Sequence, residues 1–145
     1  MADSSEIDDA LVARLAGDAE LQTLLPDGVW FDLAPQGATK FLYLELGDNR
    51  DAVAQGRPGH RRVQEDCIYT VQACVQEPNA VAAAAAALRI DALLEDQPLA
   101  LTAYRNTAIF RVSRIRKQAS DEADAALRWQ YRGGRYQVVV TPTDL

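Results

Sequence analysis

The single histidine, His60, lies in the run Gly56-Arg57-Pro58-Gly59-His60-Arg61-Arg62. Proton transfer needs a second group within hydrogen-bond reach, and no nucleophile adjoins it, so an exposed loop residue is expected. The carboxylates Asp8-Asp9 and Asp121-Glu122-Asp124 fall at a helix start and in a polar turn. Helix-end stabilisation and solvation account for both without a metal or a general acid. Cys67 and Cys74 stand seven apart in what reads as one strand. That odd separation puts them on opposite faces and argues against a disulfide. No CxxC spacing or histidine cluster accompanies them, so metal binding is not expected, and Cys67 reads as a core residue. GxSxG, P-loop, GxGxxG, HExxH and calcium-loop patterns are all missing. The chain therefore reads as a protein without enzymatic activity, cofactor or metal.

Two basic clusters remain: Arg57, Arg61 and Arg62, then Arg111, Arg114, Arg116 and Lys117. Such clusters attract phosphate. The net charge of −6 and the lack of a nucleic-acid motif argue against dedicated recognition, leaving at most a transient encounter with DNA. The charge is unevenly spread. Residues 1–33 hold eight acids and one base, and 65–104 hold six acids and one base. By contrast, 34–64 hold five bases and three acids, and 105–145 hold eight bases and four acids. Opposed halves on one small body can favour head-to-tail association, while solvation of each element's outer face accounts for the same charges from composition alone.

A chain of 145 residues with 48% hydrophobic and 25% charged side chains suffices for one folded domain, 1–145. No apolar run approaches the ~20 residues needed to span a bilayer. The acidic start Met1-Ala2-Asp3-Ser4-Ser5-Glu6 lacks a signal-peptide pattern, which predicts a cytosolic location. Ile7, Leu11 and Leu15 recur at helical spacing behind a Ser4 or Ser5 cap, and Asp18 caps a short turn from Ala19 to Leu25. Val29–Leu33 is a short strand candidate, and Phe41–Leu46 is a strand with Leu42, Leu44 and Leu46 on one face. Residues 47–62 read as a long polar loop, the kind that is usually functional or mobile. From Val63 to Gln76, Cys67, Tyr69, Val71, Ala73 and Val75 alternate with a more polar set. Ala80–Leu94 is the strongest helix, with Ala83, Ala87, Ile90 and Leu94 in one stripe and Val81, Ala84 and Leu88 beside it. Beyond it, Leu99–Tyr104 and Thr107–Lys117 suggest a pair turned near Arg105-Asn106, with a phase slip before Ile115 indicating a bulge or an edge segment that extends beyond the core. After a polar turn at 118–124, Leu127, Trp129 and Tyr131 alternate, Gly133-Gly134 suggests a turn or bulge, and Tyr136, Val138 and Val140 mark a last strand.

This order, with the segments Asp18–Leu25, Gly28–Gly37, Phe41–Gly47, Tyr69–Val75, the alanine-rich helix and Arg135–Val140, resembles the tail completion proteins of long-tailed bacteriophages and gene transfer agents, also called tail terminators or tail-to-head joining proteins. The resemblance spans about residues 8–141. It implies an α+β fold, an antiparallel or mixed sheet against two main helices, the N-terminal one and the one near 79–95. It also implies a hexameric ring in the virion, assembled in the host cytoplasm, that caps the tail tube and meets the head connector or stopper protein. Under it, Arg111, Arg114 and Arg116 would meet Asp8 and Asp9 of the next subunit. Arg50, Arg57, His60, Arg61 and Arg62 would reach a neighbour or line the lumen near passing DNA. Other readings are a neck component, such as a head-completion or stopper protein, and a small-molecule-binding domain using the loop around His60.

Overall fold

The computed structural model describes residues 4–53 and 62–143. Among these residues three helices, α1 (Ser5–Ala16), α2 (Ala19–Leu24) and α3 (Val81–Leu94), accompany five strands, β1 (Val29–Phe31), β2 (Lys40–Val53), β3 (Arg62–Gln76), β4 (Tyr104–Ser120) and β5 (Arg128–Pro142). The sheet order is β1-β2-β3-β5-β4, so β1 and β4 form its two edges. β1 runs parallel to β2, and the other neighbours are antiparallel, which makes the sheet mixed and the fold α+β. The sheet outweighs the two main helices.

The expected periodicities place the core. Ile7, Leu11 and Leu15 of α1 are buried, as are Leu42 and Leu44 of β2. The full alternating set Cys67, Tyr69, Val71, Ala73 and Val75 of β3 is buried too. The stripe of α3 is Ala83, Ala86, Ile90 and Leu94. Ala87 is half-buried, whereas Val81 and Leu88 point to solvent. A helix apolar on nearly every side carries no contrast from which its inner face can be read.

Polar side chains fasten the helices to the rest. Asp18 caps α2 by accepting from Leu21 N at 3.0 Å and is clamped by Arg89 of α3 through bonds of 2.6 and 2.9 Å. Arg14 of α1 donates to the carbonyls of Gln97 (2.6 Å) and Pro98 (2.8 Å) just past α3. Arg14 Nη1 also reaches the Leu93 carbonyl at 3.4 Å, one of those that the end of α3 leaves without an internal partner.

Four sequence expectations need correcting. Residues 47–53 are not loop: β2 continues through them, paired with β3 from Arg62 to Ile68 after a register shift at Gly47. What remains of that loop lies outside the described residues. Segment 99–103 is not a strand, because Glu6 accepts from the backbone N–H groups of Thr102 and Ala103 and occupies donors a ladder would use. β4 instead runs unbroken through Arg105-Asn106 to Ser120, so the polar turn begins only at Asp121. Finally, Gly133-Gly134 makes no turn and lies within β5, facing Gln72 and Val71 of β3. A Cβ on Gly133 would stand 2.1 Å from the Val71 carbonyl oxygen, so glycine serves close strand approach there.

Candidate assembly surface

β4 is an edge strand seventeen residues long, and it carries all of the second basic cluster, Arg111, Arg114, Arg116 and Lys117. The register shift between Arg111 and Ser113 confirms the expected bulge, with Val112 as the extra residue. Its consequence is positional. Arg111 lies opposite Tyr136, Arg114 opposite Gly134 and Arg116 opposite Arg132. Those partners continue the rows of Tyr69, Val71 and Ala73, the face on which α3 packs. Without the extra residue Arg111 would fall on the opposite face from Arg114 and Arg116.

Between this end of β4 and α3 runs a groove of about 310 Å³. Ala84, Ala87 and Leu88 supply an apolar wall, while Arg114, Arg116 and Arg132 supply positive charge. Asp91 and Arg111 close one end and are already bonded to each other, Arg111 Nη1 reaching Asp91 Oδ1 at 3.2 Å. The Arg111 N–H also donates to Glu95 Oε2 at 2.6 Å. Burial, and then the bond to Asp91, push the Tyr136 phenol well above its ordinary pKa, so it stays a donor. Arg111 is thus held inside its own chain, whereas Arg114 and Arg116 are exposed.

The two acids expected opposite these arginines differ in the same way. Asp8 is half-buried and accepts from the Tyr69 hydroxyl, while Asp9 is exposed on α1. Burial first, and the bond to Asp8 second, raise the Tyr69 pKa. Arg50 lies on the outer arm of β2, bonded to Asp48 at 2.8 Å. Arg57, His60 and Arg61 lie outside the described residues, and only the backbone of Arg62 is described, at the start of β3.

On the opposite sheet face, Phe41 meets Trp129 edge-on at 6.1 Å, and Trp129 stacks on Tyr131 at 6.4 Å. Lys117 Nζ lies 5.0 Å over the Tyr131 ring, a cation–π contact. Sequence reasoning gave no site role to this cluster, to Arg132 or to Leu88. Only the alternation of Trp129 and Tyr131 hinted at the first. Among the described residues no group of three His, Cys, Asp or Glu side chains could hold a metal, and no helix is long and apolar enough to cross a membrane.

The architecture is one seen in a virus-like particle. A chain from a structure described as the virion of a native gene transfer agent particle is similar over 95% of this chain and 96% of its own, with a TM-score of 0.64 and 22% identity. A second solved structure aligns over 99% of this chain and 97% of its own, with a TM-score of 0.57 and 13% identity. At these identities the likeness is one of fold. No curated protein matches the chain. The sequence profile of the tail completion protein gp17 family matches residues 9–132. The chain belongs to that family.

Proposed function

We propose that this protein is a structural subunit of a phage-type tail, in a virus or a gene transfer agent, which caps the finished tail tube as a hexameric ring. The ring offers the joining surface for the head connector at the head-proximal end of the tail. The observation that carries this reading is the family match over residues 9–132. The fold shared with a chain of a gene transfer agent virion supports it.

In this reading the chain works as one domain without catalysis. Exposed Arg114 and Arg116 act as interface cations between subunits, and Asp9 adds acidic charge on the other side. The outer β2–β3 arm with Arg50 and Arg62, and the segment holding Arg57, His60 and Arg61, reach toward a neighbour or the lumen, where DNA passes transiently. Asp8 and Arg111 act within their own chain.

Deleting the gene and imaging the particles tests this. Overlong or unjoined tails are expected, with immunogold label on the wild-type protein at the tail–head junction. Heads that join normal tails but lose their DNA would point instead to a stopper. Absence of the protein from purified particles would overturn the reading.

A further inference from the structure

The two sheet edges are unlike in a way that suits them to each other. At the β4 edge, the groove beside α3 combines Arg114, Arg116 and Arg132 with Leu88, which is 74% exposed. Its one acid, Asp91, is already engaged by Tyr136 and Arg111. At the β1 edge, Trp30 is 39% and Leu33 70% exposed, and Asp32 lies between them at φ 62°. That left-handed conformation, uncommon outside glycine, marks the turn where the chain leaves β1. The tip is built to keep its shape. Asp27 accepts from Thr39 N at 2.9 Å and Lys40 N at 3.0 Å, and Trp30 Nε1 donates to the Asp27 carbonyl at 2.8 Å.

We infer that the groove between α3 and β4 receives the β1 edge of a second copy of this chain, with Leu33 against Leu88 and Asp32 facing Arg114 and Arg116. This rests on the assembling role proposed above and specifies the surfaces that mate. β1 and β4 lie at opposite ends of a five-stranded sheet, so the contact forms only between chains. Joining two dissimilar surfaces makes a head-to-tail interface that repeats around a ring or along a filament. Helix α1 suits the groove less well: its large apolar side chains Ile7, Leu11 and Leu15 are buried in its own core. It has Asp9 to offer, but no exposed Leu or Trp.

Paired cysteines test the contact. The full chain carrying both Leu33→Cys and Leu88→Cys is oxidised at a concentration where sedimentation shows the wild type to be oligomeric, or in particle-containing extract. A non-reducing gel should give a ladder of covalent multimers, and either single variant should give none. Oligomers without the ladder would overturn the groove pairing and leave assembly standing. Cross-linking of Leu88→Cys to Asp9→Cys instead would assign the groove to α1 and overturn it equally. A wild type that stays monomeric both alone and in extract would overturn the pairing together with the assembling role.

Discussion

Tyr136 of β5 donates its hydroxyl proton to Asp91 Oδ1 of α3 at 2.8 Å, and the same oxygen takes Arg111 Nη1 at 3.2 Å. One carboxylate thereby ties the alanine-rich helix to two strands at the closed end of the arginine groove. Removing either partner of this bond is unequal in effect. Tyr136→Phe leaves Asp91 bonded to Arg111 and should cost about 0.5–1.5 kcal/mol. Asp91→Ala strands a buried phenol and should cost about 1–3 kcal/mol. Urea midpoints at constant m-value measure both, and the reverse order would refute the arrangement.

Asp18 provides a pH signature. Its bonds to Arg89, followed by those from backbone N–H groups, hold its carboxyl below the usual carboxylate range in the folded chain. A group with a depressed folded pKa contributes stability that is present above its unfolded pKa of about 3.9 and lost as pH falls through the folded value. Asp18→Asn keeps a good helix cap but loses the ion pair. The wild type should therefore exceed the variant in stability at pH 7, and the difference should shrink steadily below about pH 4. Urea titrations at several pH values decide this, and a difference independent of pH would contradict it.

Gly133 and Gly134 should respond differently to alanine. At Gly133 the added Cβ meets backbone, the Val71 oxygen at 2.1 Å and Gln72 Cα at 2.7 Å. At Gly134 the nearest atom is Arg111 Cδ at 2.8 Å, part of a flexible side chain, although the Ser113 oxygen stands at 3.0 Å. Gly133→Ala should cost about 4 kcal/mol or more, or prevent folding. Gly134→Ala should cost about 1–3 kcal/mol. Thermal melting of the two variants compares them directly.

The thiols should be silent in the folded protein. Both cysteines are buried, and burial pushes the Cys74 thiol up to about 12. At pH 8 an aromatic disulfide reagent should label fewer than one thiol quickly and both in urea. Rapid labelling of Cys74 in the native chain would show that this sheet face is open.

Charge reversal at Arg114 and Arg116 should separate assembly from folding. Both are exposed, so Arg114→Glu with Arg116→Glu should move stability by only about 0.5 kcal/mol per site. Subunit association should fall sharply, and wild-type association should weaken as salt rises from ~0.05 to ~0.5 M. Sedimentation velocity measures both, and salt-independent association would argue for an apolar interface.

Much of the fold is legible in the sequence because burial imprints a period. The spacing of Ile7, Leu11 and Leu15 in α1 and the alternation through β3 each require one wet face and one dry face, and the buried residues match. The period fades where burial does. Residues 48–53 lack a strong hydrophobic alternation, yet backbone pairing with β3 carries the strand onward. On α3 the opposite excess hid the answer, since alanine on most sides left Leu88 indistinguishable from the core stripe.

By itself, then, the sequence determined the core faces of α1, β2 and β3, the basic cluster on β4 and the phase slip within it. These are local quantities, set by side-chain type and spacing along one segment. Tertiary structure alone decided that Thr102 and Ala103 give their N–H groups to Glu6, that Gly133-Gly134 presses on β3 without turning, and that Asp91 engages Arg111. It also decided that β4 and β1 end up as opposite edges. Such outcomes depend on which distant segment arrives as neighbour, and chain separation hides that from any local pattern.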